Sequence, residues 1–289
     1  MPLDPVIFMS QSFHKISVLG GGLLGGSIAL ALQDHTETRL WFRKPEAAAA
    51  AKNLGLLFPT SDLSKAVAEA DLLILAVPVG AMPSLLAAAI ECGLPPDCLV
   101  TDVGSVKQAP HDSLAEILAK SGNPFIGSHP MAGSEQNGLS AARPDLFQNA
   151  ACLLTNASGA SAELCNVLED FWKFLGCRTT WLTATEHDLL VARISHLPHI
   201  VAAATAKVSL KNPDLGSFGG GGLRDTTRVA SGNPAMWAEI LTENRGSIIP
   251  SLRETIAELR EILATLEKPD QELACEWLAE AKTLRDTLK

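Results

Sequence analysis

Residues 71–78 read DLLILAVP, with no polar position between Leu72 and Val77. A run this short has the length of a strand, and a strand without apolar–polar alternation has both faces covered. A mostly parallel sheet lying between two layers of helices meets that condition. The surrounding sequence keeps the rhythm of such a sheet. Further strand candidates are KISVLG (15–20), TRLWF (38–42), CLVTDVG (98–104), PFIGSHP (124–130), ACLLT (151–155) and RTTWLT (178–183). Ala- and Leu-rich helical segments such as LLGGSIALALQD, PEAAAAAKNLG and VGAMPSLLAAAIE separate most of them. The pattern predicts an α/β fold built on a doubly wound parallel sheet.

After Thr183 the strand signal stops. Residues 184–289 carry helical periods, for instance Ile256, Leu259, Leu263 and Leu266 on one stripe. The expected boundary divides residues 1–183 from an all-helical region, 184–289. So much apolar helical surface is hard to cover within one chain, so dimerisation through this region is expected.

Composition narrows the function classes. With 289 residues, 47% hydrophobic and 19% charged, the chain has material for a full core and for two domains. It carries 23 basic against 32 acidic residues, a net charge of −9. That balance lacks the basic footprint of nucleic-acid binding, so no nucleic-acid partner is expected. The opening MPLDPVIFMSQSFHK has neither a secretory nor a transit-peptide pattern, and no apolar run of spanning length is free of charge or turn residues. A cytoplasmic protein without a membrane partner is therefore expected. Six scattered cysteines form no CxxC pair and have no zinc-spaced histidine, so neither disulfides nor a metal site is expected.

The segment VLGGGLLGGSIA holds Gly20, Gly22 and Gly25 in GxGxxG spacing between a strand and a helix. That context gives the motif its physics: a tight turn, close backbone approach to a pyrophosphate, and phosphates at the free N–H groups of a helix starting near Leu23 and Leu24. A Rossmann-type dinucleotide site is expected, with Val77 and Pro78, at the end of the next central strand, beside it. NAD sites usually place an acid at the end of the second strand. Here stand Phe42, Arg43 and Lys44. With no carboxylate to repel a 2′-phosphate and a guanidinium to bind it, NADP is favoured over NAD.

Ligands of such sheets bind at the C-terminal strand ends. Ser105 follows CLVTDVG and His129 follows PFIGS, which puts both at one edge near a nicotinamide ring. The flanking glycines of IGSHPMAGSEQNG are expected to let substrate and cofactor approach the His129 imidazole. Hydride loss from an alcohol is eased when its O–H proton departs, and an imidazole is suited to accept that proton. Residue type alone leaves a loop-stabilising histidine equally open. In the second half, His196 and His199 share a helical face, and Pro198 between them predicts a kink. Thr185, Glu186 and Asp188 read as a helix start with acids in its first turn, and Ser231, Asn233 and Pro234 as a turn before a helix.

Taken in order, GGGLLGGS, TDVGSVK, GSHPMAGSEQNG, SHLPH and RDTTRVASGNPAMW resemble the prephenate and arogenate dehydrogenases of tyrosine biosynthesis. The resemblance covers most of the chain and implies a dinucleotide-binding domain followed by a helical dimerisation domain. It implies His129 as the catalytic acceptor at the substrate's ring hydroxyl and Ser105 as its hydrogen-bonding helper. Arg228, a buried guanidinium, would hold the ring carboxylate, although Arg224 is open to the same role. His199 would face the substrate side chain with His196 in support, and Glu135 and Asp225 would close the mouth. The 289 residues leave no room for a regulatory domain or a fused mutase, so neither is expected. A β-hydroxyacid dehydrogenase would need a lysine in glycine-rich context, which Lys207 and Lys211 lack. A non-catalytic NADP sensor would have no use for Ser105, His129, His199 and Arg228 together. Neutral Gln148 and Asn149 favour the keto acid prephenate over the ammonium-bearing arogenate.

Overall fold

A central strand that hides both faces needs a helix layer above and below it. The computed structural model describes residues 13–133, 136, 138–268 and 270–288. Its first part runs β1 (Lys15–Leu19), α1 (Leu23–Leu32), β2 (Glu37–Trp41), α2 (Pro45–Asn53), β3 (Pro59–Thr60), α3 (Leu63–Val67) and β4 (Leu72–Leu75). It continues with α4 (Met82–Glu91), β5 (Leu99–Asp102), α5 (Gln108–Ser121), β6 (Phe125–Pro130), β7 (Ala151–Thr155), α6 (Ala162–Phe174) and β8 (Arg178–Trp181). Along β4, Leu72 and Ile74 enter one core with Ile28, Leu32 and Trp172, while Leu73 and Leu75 enter the other with Leu86 and Leu114. Two cores, one on each sheet face, are why this strand shows no alternation.

The strand order is β3-β2-β1-β4-β5-β6-β7-β8. The first six strands are parallel. β7 runs antiparallel to β6, and β8 parallel to β7. The wholly parallel sheet expected from the sequence is thus corrected at one edge. Among the described residues of 131–150 there is no crossover helix, and a parallel neighbour would need one. α6 supplies that crossover between β7 and β8. The order also shows the chain leaving β1 in one direction and resuming at β4 in the other, which opens a crevice at the C-terminal ends of those two strands.

The helical part comprises α7 (Ala184–Val191), α8 (Leu197–Ser209), α9 (Gly221–Thr227), α10 (Pro234–Glu243), α11 (Arg245–Glu267) and α12 (Gln271–Arg285). α7 begins with a capping box in which the Thr183 side chain accepts from Glu186 N–H and Glu186 reaches back to Thr183. α7 and α8 are joined by a π-helical turn, Ala192–His196, whose following N–H, on Leu197, bonds to the Ala192 carbonyl. The wide turn stands where the Pro198 ring would otherwise meet the carbonyl four residues back, so the chain absorbs the proline there. By length and composition alone the 26-residue stretch Ala184–Ser209 could cross a membrane. It carries Asp188, Arg193 and Pro198, and packs on α5 and α11.

Candidate active site

The turn after β1 fits a dinucleotide. Gly20 has φ +120°, and a Cβ there would overlap the Ala76 carbonyl oxygen. A Cβ on Gly25 would overlap the Gly20 carbonyl oxygen, so α1 sits tight against its own turn. Gly22 is different: its Cβ position is open, with nothing within 4 Å. Gly22 begins α1 with no side-chain cap, and the Gly26 N–H bonds to its carbonyl (2.9 Å). The first-turn N–H groups of Leu23, Leu24 and Gly25 thus remain as donors beside open space, where a pyrophosphate fits. Val77 lies against Gly20, and Pro78 is exposed beyond it. Phe42 is buried with its ring over Gly21, while Arg43 and Lys44 are exposed at the entry to α2. Gln148 and Asn149 line a cleft with Leu23, Met131, Gln136 and Arg143, a cleft whose lining includes none of the histidines.

Two strand ends further along the sheet are tied by a buried ion pair. Lys107 Nζ donates to Asp102 Oδ2 (2.5 Å), and both side chains are fully buried. Asp102 also accepts from Gly104 N–H (2.8 Å) and Ser128 N–H (3.3 Å). Carrying both charges out of water is costly, and the extra bonds satisfy the remaining lone pairs and fix β5 to β6. A Cβ on Gly127 would crowd Lys107 Cδ and Thr155 Oγ1. This corrects the role expected of that glycine: it makes room for the lysine stem rather than for a ligand.

His129 ends β6 and is 7% exposed. Its Nδ1 lies 2.8 Å from His187 Nε2, and His187 Nδ1 lies 2.8 Å from Asp188 Oδ1. Asp188 also accepts from the Lys107 N–H (2.8 Å) and the Gln108 N–H (3.1 Å) at the start of α5. Burial first, then His187, Lys107 and His196, hold the His129 pKa well below the usual histidine range. Burial also lowers His187, in spite of Asp188. Among the described residues Ser105 Oγ makes no hydrogen bond, so the partner that orients His129 is His187, not Ser105 as expected. Neither His187 nor Asp188 stood among the expected site residues. Their signal, EHD at a helix start, has an ordinary capping explanation.

The helical part closes the site. His196 is fully buried beneath the Ser105 turn; its Nδ1 meets Asn244 Nδ2 (3.1 Å), and Asn244 also donates to the Asp188 carbonyl (2.8 Å). Burial pushes His196 down to about 4. His199 stacks face to face on Trp237, centroids 3.5 Å apart at 9°, beside the backbone of Val229. His196 Nε2 and His199 Nδ1 are buried without a hydrogen-bond partner among the described residues. Arg228 begins the 3-10 turn Arg228–Ser231, packed on α8 near His199. It is exposed, not buried as expected: the turn that carries it buries none of its four residues. Asp225 and Arg224 are exposed on α9. Glu135 lies outside the described residues. Asn233 caps α10 through Ala235 and Met236, as the turn reading expected.

Comparison with known proteins identifies the family. Residues 28–181 match the family described as "Prephenate dehydrogenase, nucleotide-binding domain", and residues 183–280 match "Prephenate dehydrogenase, dimerization domain". The chain is 36% identical over 288 residues to a prephenate dehydrogenase of Bacillus subtilis, covering 97% of this chain and 77% of that protein. It is 33% identical to a cyclohexadienyl dehydrogenase of Zymomonas mobilis, covering 96% and 97%. The crystal structure of prephenate dehydrogenase from A. aeolicus in complex with hydroxyphenyl propionate and NAD+ superposes with a TM-score of 0.86 at 27% identity, covering 97% of this chain and all of that one.

Proposed function

The chain belongs to the prephenate dehydrogenase family, and on that premise we propose that it converts prephenate to 4-hydroxyphenylpyruvate by oxidative decarboxylation, with NADP⁺ as cofactor. It is an oxidoreductase that works with a nicotinamide dinucleotide. The observation that carries the proposal is His129, at the end of β6: one ring nitrogen is anchored inside the protein by His187, and the other makes no hydrogen bond among the described residues.

In this reaction His129 Nε2 takes the proton of the ring C–OH as hydride leaves the same carbon. When bound, the dinucleotide supplies the hydride acceptor. Ser105 hydrogen-bonds the same oxygen. The ring ketone that results is conjugated to the carbon bearing the carboxylate, so CO₂ leaves and the ring becomes aromatic. Arg228 holds the ring carboxylate, His199 faces the side chain with His196 behind it, and Glu135 and Asp225 close the mouth. Residues 1–183 bind the cofactor, and 184–289 bind substrate and pair two copies. The exposed apolar row of α11 supports that pairing. Phe42 leaves no carboxylate at the end of β2, and exposed Arg43 and Lys44 favour the 2′-phosphate.

Initial rates with prephenate or arogenate, each with NADP⁺ or NAD⁺, test the proposal. The highest kcat/KM is expected for prephenate with NADP⁺. A higher value with arogenate replaces the substrate, and one with NAD⁺ removes the role given to Arg43. Inactivity with all four pairs, in protein that binds NADPH, favours the sensor.

A further inference from the structure

We propose that His187 and Asp188 set the tautomer of His129, so that the ring nitrogen facing the substrate is the one that carries a lone pair. This rests on His129 as the proton acceptor, and makes His187 a positioning residue with Asp188 as its anchor.

The proton positions follow from which groups have protons to give. Asp188 accepts two backbone N–H bonds at the start of α5, from Lys107 and Gln108. Burial works to raise its carboxyl, yet these bonds and His187 hold it below its ordinary value. It is therefore a carboxylate, which can only accept. The 2.8 Å contact to His187 Nδ1 then requires the proton on that nitrogen. A neutral His187 with Nδ1 protonated has a bare Nε2, which can only accept. The 2.8 Å contact to His129 Nδ1 in turn requires that His129 donate. His129 Nε2 is thus left bare on the substrate side.

The competing arrangement needs His187 as an imidazolium. It would donate from Nε2 to His129 Nδ1, leaving His129 with its proton on the substrate-facing nitrogen, where it cannot act as a base. The surroundings oppose it. His187 is fully buried, and Lys107 works against a positive charge there; Asp188 and Asp102 favour it but are outweighed by burial. Around His129 stand His187, Lys107 and His196, all of which disfavour a second proton before the reaction. When the substrate proton arrives at Nε2, the charge appears one ring away from the Asp188 carboxylate, which stabilises it without taking the proton, as in hydrolase triads.

Two measurements test this. In ¹⁵N imidazole spectra of the substrate-free enzyme near pH 7.5, with resonances assigned by loss in His129→Asn and His187→Gln, both rings are expected to carry their proton on Nδ1. A protonated Nε2 on His129 overturns the proposal, and because no substrate is present, that result stands apart from whether the reaction itself was assigned correctly. In kinetics, His187→Leu removes the acceptor, whereas His187→Gln keeps an oxygen that can accept from His129 Nδ1. His187→Leu should lower kcat roughly 10²- to 10³-fold with KM within about twofold and a moved acid limb of the pH–rate profile, and His187→Gln should retain activity within about tenfold of wild type. A leucine variant with wild-type kcat and pH profile overturns the proposal. If that variant does not fold, a glutamine variant as slow as a triad knockout does the same.

Discussion

A histidine in water gains its charge near pH 6.5, and burial resists that charge. Of the seven histidines, His111, His129, His187, His196 and His199 are buried, and in each burial is the largest cause lowering the pKa. The sign for stability follows. Below about pH 6.5 the unfolded chain binds protons that the folded chain refuses, so stability falls with pH; for His196 the loss ends near 4. Acids held low, such as Glu169 and Asp188, add their own loss only below about pH 4.5. Between about pH 6.5 and 4.5 the melting temperature should therefore drop, by up to about 1.4 kcal/mol of stability per pH unit for each such histidine. A flat melting curve across that window would contradict the buried neutral rings. For catalysis, His129→Asn should lower kcat by about 10² to 10⁴ with little change in KM; turnover within tenfold of wild type removes the residue from its role. That His129 and Ser105 stand at neighbouring strand ends was legible because apolar runs mark the strands that precede them. His187 and Asp188 were not, because their burial is made by α5, about 80 positions away along the chain. Arg228 misled for a related reason: its type signals an anion partner, but not how deep its turn sits.

Among the elements, the turn after β1 allows a sharp separation of packing from binding. A methyl group on Gly25 would strike the Gly20 carbonyl, whereas one on Gly22 would enter open space. Gly25→Ala is expected to cost about 1–3 kcal/mol, read as a lower melting temperature. Gly22→Ala should leave the melting temperature of the free protein nearly unchanged while weakening binding of the nicotinamide dinucleotide tenfold or more, measured by titration. Equal binding by Gly22→Ala would remove the pyrophosphate from that space. Strand positions were legible almost throughout, since apolar runs bounded by glycine and proline mark them. β3 was missed because it pairs over only Pro59 and Thr60, too short for any period to show. The reversal of β7 was missed because direction depends on how residues 131–150 return, and a loop sequence does not state its path. Pro198 announced a disturbance in its helix, and the π turn is the form it took.

At the scale of the molecule, α11 spans 23 residues yet buries only Ile248 and Ser251. Leu259, Leu263 and Leu266 are each more than half exposed, on the same stripe that the sequence period marked. Burying a leucine fully is worth about 1.5–3 kcal/mol, so a few such side chains repeated across a twofold axis are enough to hold two copies together. Leu259→Glu with Leu263→Glu should convert a dimer to a monomer in light scattering, with melting temperature falling as the pair separates; unchanged mass would move the interface elsewhere. The two parts of the chain also meet within one molecule, where Glu239 on α10 accepts from the Gly80 N–H (2.6 Å) just past the strand end that flanks the crevice. Nearby stands the parallel stack of His199 on Trp237. The indole of Trp237 emits from within that stack, so its emission reports on whether the contact holds. A ligand that draws His199 away would change that emission. Ligand binding could then be followed by light from within the site itself.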